Sequence, residues 1–404
     1  MLNRRTLRIK VMQALYAYEQ AIGSDYSLAL DRISDAFQPD LNSMVPQDKR
    51  LLQGQQKMAD ATFREWHTAH VAGKPADIEK SDDKDVQDAV DDAVRYYQKQ
   101  AQKETVFFMN QMLNATESIH DQYLHLLNLP AALLQVIEEE KSREARRFTA
   151  STDVLDTTRL ERNPVLQKLA ANKQLQEQTI RRTLQWAGEN EMEALRLAWR
   201  NEMRNDEELR SYLAGESKIE GAATDYAAEQ EILKYIYKTF VFKGTALAAR
   251  LEEDDLNWEE NRSIVKNLVV KTLKMLDEAA DENLELLSLS ANWKEDKEFA
   301  ETLYKQTLAE DANYEALISG AVQNWDVERV ALLDKIILKM ALCEMHLFRS
   351  IPVKVTINEY IEISKLYSTP KSKQFINGIL DKLAQDLMAS GAIRKSGRGL
   401  LDNQ

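Results

Sequence analysis

The sequence ERVALLDKIILKMALCEMHLF at residues 328–348 decides the class of fold. It contains no proline or glycine, and apolar residues occupy most of its positions. This pattern predicts a helix that is buried on most of its sides. Such a helix needs apolar neighbours, so the stretch favours an all-α protein.

Proline and capping residues mark the segments that follow this helix. Pro352 cannot continue a helix and ends it. Thr356 and Glu359 have the spacing of a capping box and predict that a second helix begins there. Thr369 followed by Pro370 predicts the start of a last helix, since proline is favoured at the first helical position.

The N-terminal segment 4–22 predicts an amphipathic helix, and a shorter helix is expected over 26–38. Arg5, Arg8 and Tyr16 share one side of the first helix, beside its apolar stripe. An arginine fork fits phosphate oxygens, and a tyrosine can stack on an unpaired base. A solvated helix face explains the same spacing, so both interpretations stay open at this point.

The start of the last helix carries Lys371, Lys373, Gln374 and Phe375. A helix N-terminus attracts phosphate through its free N–H groups and the positive end of its dipole. Lysines have the wrong sign for the dipole alone, which favours an anion bound there.

Composition limits where nucleic acid can bind. The chain has 404 residues, only 12 Gly and 7 Pro, and a net charge of −13. An RNA site must therefore be a local basic patch. Cys343 is the only cysteine, so no intrachain disulfide can form, and a reducing, cytoplasmic location is expected. No secretory signal or membrane span is expected.

An internal repeat occupies the middle of the chain. Residues 229–275 match residues 296–342 at an offset of 67, with Tyr237 opposite Tyr304 and Trp258 opposite Trp325. A fainter copy lies upstream at an offset of 38. The pattern predicts repeated helical units in which both tryptophans are packing anchors, although sequences of similar composition also align by chance.

Enzymatic interpretations find little support. The chain has no glycine-rich phosphate loop and no strand pattern to carry one, so no catalytic residue and no cofactor is expected. His67 and His70 lack the partners of a metal site, and none is expected. The basic cluster Lys141, Arg143, Arg146 and Arg147 is interpreted as a solvated helix face.

Three segments resemble the NusB family. They are the arginine-rich start, Arg4-Arg5-x-x-Arg8 followed by Gln13-Ala-Leu-Tyr16, the sequence IPVKVTINEYIEISK at 351–365, and FINGILD at 375–381. The resemblance covers about 1–40 and 296–388, in the order of the family, and together these motifs are highly specific. The stretch 41–295 resembles the extra helices of long NusB-like proteins.

The resemblance implies an all-α fold with a NusB-type bundle core and an inserted helical region. The core is expected to comprise 1–40 and 296–390, the insertion 41–295 with its repeat-like part at 229–275, and a flexible tail 391–404.

The resemblance also implies transcription antitermination. NusB pairs with NusE, a small-subunit ribosomal protein, and the pair binds boxA, a single-stranded element of nascent ribosomal RNA. Other Nus factors and RNA polymerase are engaged indirectly. The alternatives are a helical interaction scaffold without specific RNA binding and a domain of an RNA cytosine methyltransferase. The latter would need a cofactor-binding sheet and a nucleophilic cysteine, and the sequence indicates neither.

Carried over by position, the RNA-facing residues lie at the starts of the first and last helices. They are Arg4, Arg5, Arg8, Tyr16, Lys371, Ser372, Lys373, Gln374 and Phe375. Family members often have an acidic residue where Lys371 stands, which puts the base contacts there in doubt. Asn377 and Gly378 are expected to serve structure, with close helix packing as the reason for the glycine.

Overall fold

The computed structural model describes residues 2–40, 42, 44, 46–75, 81–146, 155–215, 225–322 and 330–403. These residues form helices and connecting turns without any β-strand, which confirms the all-α prediction. No helix in the described ranges is both long enough and apolar enough to cross a bilayer.

The helices, in chain order, are α1 Arg4–Ala36, α2 Lys49–Val71, α3 Lys84–Leu127, α4 Leu129–Ala145, α5 Thr158–Glu161, α6 Pro164–Ala171, α7 Lys173–Arg182, α8 Glu189–Ala198, α9 Glu207–Leu213, α10 Asp225–Ile236, α11 Thr245–Asp254, α12 Trp258–Met275, α13 Trp293–Ala309, α14 Asp311–Ala321, α15 Leu332–Leu347, α16 Val353–Tyr367 and α17 Ser372–Ala389.

The chain divides into two compact units. The terminal unit contains Asn3–Asn114 and Lys294–Gln404, and the central unit contains Met1–Leu2 and Ala115–Trp293. Helix α3 runs from one unit into the other. Residues 41–114, which were expected to lie in the insertion, are therefore in the same unit as α1 and the C-terminal helices α13 to α17.

Helix α15 is the buried helix of the terminal unit. Every residue from Ile336 to Met345 is buried, including the charged Lys339 and Glu344. Helices α1, α14, α16 and α17 all contact it. Within the apolar stretch at 328–348, Leu332–Leu347 thus form a helix covered on most of its sides, as the composition predicts, while residues 328 and 329 lie outside the described ranges.

Helix α1 is longer than predicted. A break was expected between segments 4–22 and 26–38, but one helix runs through both. Glycine costs a helix only about 1 kcal/mol, and the chain has no proline there. Ser24 Oγ donates to the carbonyl of Gln20, 3.1 Å away, within the helix. The second half of α1 then buries Ala29 and Ile33 in a core shared with α2 and α3.

The starts of α16 and α17 differ from the predicted caps. Helix α16 begins at Val353. Pro352 is its N-cap, with the non-helical backbone (ψ 145°) that is usual at that position. Thr356 is therefore inside the helix and forms no capping box. Helix α17 begins at Ser372 rather than Pro370, after a turn in which the Ser372 N–H donates to the Thr369 carbonyl at 2.9 Å.

The order of helices matches the sequence repeat. Helices α10, α11 and α12 of the central unit follow one another as α13, α14 and α15 do in the terminal unit. Tyr237 and Tyr304, which the offset of 67 aligns, are both fully buried. Trp258 is also buried and stacks on Phe242, which confirms that it is a packing anchor. Its counterpart Trp325 lies outside the described residues.

The fainter repeat, at the offset of 38, contains a π-helical turn in each copy. Helix α8 continues into a single π-helical turn, Trp199–Met203, and α10 continues into another, Tyr237–Val241. These turns occupy equivalent positions at the offset of 38, and a short helix, α9 or α11, follows each. The agreement of two unusual turns favours a common structural unit over a chance alignment.

Candidate RNA-binding surface

The start of α1 is positioned by its cap. Asn3 Oδ1 accepts a hydrogen bond from the Thr6 N–H at 2.9 Å, which satisfies one of the free donors of the first turn. The chain therefore enters the helix at Arg4, and the arginines fall in its first two turns. Arg4 pairs with Glu295, and its guanidinium lies over the ring of Phe299, 4.9 Å from the centroid.

Arg5 lies at the surface with a carboxylate partner from α16. Its Nε and Nη2 each donate to Glu359 at 2.8 Å, in a bidentate pair. The Arg5 side chain is 43% exposed, so an approaching phosphate can reach it. The hydrogen bonds from Arg5 lower the pKa of the Glu359 carboxyl. Glu359 is thus a neighbour of the basic residues and not the capping residue that its spacing predicted.

Arg8 has a different environment. Its side chain is only 3% exposed, and it donates to the two oxygens of the buried Glu344 at 2.7 and 2.8 Å. Glu344 also accepts from Thr356 Oγ1 at 2.8 Å and from the Tyr360 hydroxyl at 3.3 Å. Because every oxygen of Glu344 is occupied by donors from α1 or α16, this group joins three helices. Arg8 therefore serves to orient α1 on α15 and α16.

Tyr16 lies two turns further along α1 and is 43% exposed. An exposed aromatic ring near arginines can offer a face to an unpaired base. Tyr16 is therefore accessible at the surface, as its predicted RNA-facing role requires.

The start of α17 forms a second basic area. Lys371, Lys373 and Gln374 are exposed, and Phe375 is half-buried. Ser372 is buried instead, and its hydroxyl donates to Asp334 at 2.7 Å. This hydrogen bond ties the first turn of α17 to the first turn of α15.

The two basic areas are separated along α15. Arg8 contacts Glu344 in the last turn of α15, whereas Ser372 contacts Asp334 in its first turn. At 1.5 Å of rise per residue, these contacts are about 15 Å apart along the helix axis. The structure thus places both areas on one unit, at the two ends of its buried helix.

A cavity of about 610 Å³ opens beside the arginines of α1. Its walls come from the start of α1, from the segment that leads into α16, from the first two turns of α16, and from residues near the C-terminus. They comprise Asn3, Arg4, Arg5, Arg8, Ser350, Ile351, Pro352, Val355, Glu359, Arg398 and Leu401. Arg398 was not among the residues predicted from the sequence. The basic run Arg394, Lys395 and Arg398 near the C-terminus was the available signal.

Comparison with known proteins places these features in a family. The family model described as "NusB family" matches residues 261–385. The transcription antitermination protein NusB of Geobacter sulfurreducens is 40% identical over 136 residues, which are 32% of this chain and 98% of that relative. The chain belongs to the NusB family.

Two further NusB relatives match a shorter part of their own length. The protein of Salinibacter ruber is 40% identical over 105 residues, 26% of this chain and 66% of the relative. That of Chloroherpeton thalassium is 39% identical over 106 residues, 26% of this chain and 50% of the relative. The chain thus spans less than two thirds of these two NusB proteins. A solved structure of T. maritima NusB matches with a TM-score of 0.22 at 25% identity, over 39% of this chain and 91% of that one.

The NusB-like motif FINGILD at 375–381 has a different structural basis than expected. Gly378 is exposed, and a Cβ at this position would meet nothing within 4 Å. Close helix packing therefore does not explain this glycine. Asn377 donates to Asp381 Oδ2 at 2.9 Å, one turn further along α17. Asn377 thus stabilises its own helix, in line with the predicted structural role.

Several other groups that the sequence offered as candidates in this NusB-family chain have structural partners, namely Lys141, Arg143 and His67. In the basic cluster of α4, Lys141 pairs with Glu161 and Arg143 with Glu139, while Arg147 lies outside the described residues. His67 Nε2 lies 3.1 Å from the Tyr97 hydroxyl within an aromatic cluster. Burial raises the pKa of the Cys343 thiol to about 11, which disfavours the nucleophilic thiolate.

Proposed function

We propose that this protein is a transcription antitermination factor that binds boxA-type single-stranded RNA in nascent ribosomal transcripts. In this proposal it acts together with NusE, engages other Nus factors and RNA polymerase indirectly, and so suppresses termination. It acts as a binding protein, without catalytic residues or cofactors. The observation that carries the proposal is the arginine-lined cavity at the start of α1, in a chain whose relatives are named transcription antitermination proteins.

The charge distribution supports an RNA site in the terminal unit. The chain as a whole carries a net charge of −13, and most of this excess lies in the central unit. A polyanion is repelled by such a unit and attracted to a local group of cations. Arg4, Arg5, Lys371 and Lys373 provide cations at the two ends of α15. We infer that the RNA strand runs between these ends.

The individual residues then have different roles in the proposal. Arg5, Lys371 and Lys373 contact phosphates, because their charged groups are at the surface. Tyr16, and Phe375 through the exposed part of its ring, offer faces for stacking. Arg8 and Ser372, which are buried, hold the first and last helices in position and do not touch the strand.

The test is fluorescence anisotropy with a short boxA-type RNA and a scrambled RNA, with and without NusE, at several salt concentrations. The double variant Arg5→Gln, Lys373→Gln should weaken binding by roughly tenfold or more and flatten the salt dependence by about 1.4 log units per log unit of salt. The matched control Lys271→Gln, Lys274→Gln removes two exposed charges from α12 and should leave both quantities unchanged. Arg8 is omitted because neutralising it leaves Glu344 buried without its partner.

The outcomes separate the two classes of function. Preference for the boxA-type RNA that increases with NusE supports antitermination. Equal affinity of the Arg5, Lys373 double variant and the wild type contradicts the assigned surface. Absence of binding to either RNA, even with NusE, contradicts the proposal and favours a protein-interaction scaffold, in which the central helices are the working part.

A further inference from the structure

The C-terminal segment turns back onto the terminal unit after α17. Gly391 has a φ of +72°, a left-handed conformation that glycine adopts readily. The N–H groups of Ala392 and Ile393 both donate to the Leu387 carbonyl, at 2.9 and 3.1 Å. The Ile393 side chain is buried. A flexible tail was expected over 391–404, whereas these contacts give the start of that segment a defined course.

Two glycines allow the segment to lie close to the end of α15. The Ser396 N–H donates to the Arg349 carbonyl at 3.0 Å, and Lys395 Nζ donates to the Phe348 carbonyl at 3.1 Å. A Cβ on Gly399 would lie 2.0 Å from the Arg349 carbonyl oxygen, so no other residue fits there. Gly397 has a φ of +57°, which also favours glycine. Both glycines belong to the short 3₁₀ helix Gly397–Asn403.

Arg398 stands between the two glycines and lines the cavity of Arg4, Arg5 and Arg8. The three arginines of α1 that line this cavity each have a glutamate partner. Arg398 is exposed and forms no ion pair with any residue in the part of the chain that the structure describes. Its guanidinium is therefore the cation of this cavity that is available without first breaking an internal pair.

We propose that Arg398 is a further RNA-binding residue, which extends the phosphate-binding surface of α1 through the Gly-Arg-Gly element at 397–399. This inference rests on the proposed RNA-binding function and names one more residue of the same site. The planar fork of an arginine can donate two parallel hydrogen bonds to a phosphodiester. Val355 and Leu401, which are exposed and line the same cavity, offer an apolar wall for a base or ribose next to that phosphate.

The experiment compares full-length variants by anisotropy with the boxA-type RNA at several salt concentrations. Arg398→Ala should lower affinity roughly three- to tenfold, as for the loss of one charge-assisted contact, and reduce the salt slope by about 0.7. Arg398→Lys keeps the charge but loses the fork, so it should retain the salt slope and recover only part of the affinity. The control is Arg394→Ala, because Arg394 is an exposed arginine of the same segment that does not line the cavity.

The possible results separate failure of the Arg398 assignment from failure of the proposed RNA-binding function. Wild-type binding that Arg398→Ala leaves unchanged, or that both alanine variants weaken equally, overturns the role of Arg398 alone. Tighter binding by Arg398→Ala also overturns it, since the segment would then be covering the site. Absence of wild-type binding overturns both proposals together. A selective loss in Arg398→Ala, partly restored by lysine, supports the assignment.

Discussion

The two copies of the three-helix repeat share an apolar frame but differ in the polar groups that they bury. In the central unit, Tyr237 donates to the Leu126 carbonyl at 2.5 Å, and the hydroxyls of Tyr123 and Thr272 lie 2.6 Å apart. These are neutral hydrogen bonds. In the terminal unit, the residue aligned with Thr272 is Lys339, which pairs with two carboxylates.

The shared apolar positions and the differing polar positions have separate roles in the two copies. Apolar positions such as Ile236 and Leu303 are buried in both copies, so they specify the packing of the helices. Only the terminal copy continues into Glu344, whose buried carboxylate holds Arg8 and so fixes α1 with its other arginines at the surface. The charges of the terminal copy thus organise a cationic surface, whereas the central copy has the frame without that device.

The largest effect is expected where the terminal copy buries its charge pair. Glu344→Ala removes the carboxylate that Arg8 contacts at 2.7 Å and leaves only the Glu359 carboxylate, 3.5 Å from the guanidinium, so it should cost the terminal unit about 3 kcal/mol. The matched change in the central unit is Asp277→Ala, at the same offset of 67. Asp277 is exposed, and its carboxylate accepts only from the nearby Ala279 and Ala280 N–H groups, so loss of this side chain should cost about 1 kcal/mol or less.

Hydrogen exchange in urea, followed in peptides from α15 and α12, measures both losses within their own units. The double replacement Arg8→Met, Glu344→Met removes both charges and should restore much of the protection in α15. A loss of under about 1 kcal/mol in Glu344→Ala would show that the two copies do not differ as described.

The aligned tyrosines test the comparison at a single atom. Tyr237→Phe removes the donor to the Leu126 carbonyl and should destabilise the central unit by about 1–2 kcal/mol. The Tyr304 hydroxyl is buried without a hydrogen-bond partner in the described residues, so Tyr304→Phe should be neutral or stabilising in the terminal unit. Hydrogen exchange on peptides of α10 and α13 measures the change in stability that each variant causes in its own unit. Equal destabilisation by the two variants would contradict this assignment.

The ion pairs of Lys339 should make one copy sensitive to acid. Burial alone would raise the pKa of Glu315, but the charge and hydrogen bonds of Lys339 and Lys335 lower it below its ordinary value of 4.5. The stabilisation is therefore present above pH 4.5 and is lost as pH falls through the folded-state pKa. Lys339→Met should cost about 1 kcal/mol at neutral pH and less near pH 3.5.

Thr272→Val provides the control for this pH dependence, because the hydrogen bonds that it removes, with the Tyr123 hydroxyl and the Leu268 carbonyl, involve no group that titrates in acid. Urea unfolding at the two pH values gives the change for each variant. If the cost of Lys339→Met is the same at both, the carboxylates do not contribute as the geometry indicates.

The smallest effect concerns a glycine that only one copy contains. Gly320 of α14 is aligned with Glu253 of α11, and a Cβ at Gly320 would meet nothing within 4 Å. Gly320→Ala should stabilise the terminal unit by about 0.5 kcal/mol, because it lies near the helix end where the full benefit of alanine is reduced. Thermal unfolding measures the shift, and Gly54→Ala, another helical glycine facing open space, should change stability in the same direction. A decrease in the unfolding temperature would contradict this expectation.

Local patterns sufficed for much of the fold. The apolar run at 328–348 predicted a buried helix because its composition leaves no polar face. Pro130 lies in the first turn of α4, directly after α3 ends at Leu127, because a proline is tolerated at the start of a helix and not in its interior. The caps were less predictable, because Thr356 satisfies its hydroxyl on Glu344 of another helix and is not needed at a helix start.

The candidate surface was predictable in composition but not in detail. Arg5 and Arg8 lie on one side of α1 by spacing, yet Arg5 is exposed and Arg8 is buried. The partner that draws Arg8 inward lies 336 residues away in sequence, beyond the reach of any local pattern. Gly378 was assigned to close packing, and only the position of its neighbours reveals the open space around it.

The sequence by itself determined the helical class, the buried helix, the repeat and the family resemblance, since each depends on residue type and on spacing along one segment. The tertiary structure alone decided which arginine is a surface cation, which one joins three helices, and that Arg398 enters the same cavity as the N-terminal arginines. The physical reason is that helix formation is governed by neighbouring residues, whereas the state of a charge depends on burial and on partners that folding brings from distant parts of the chain.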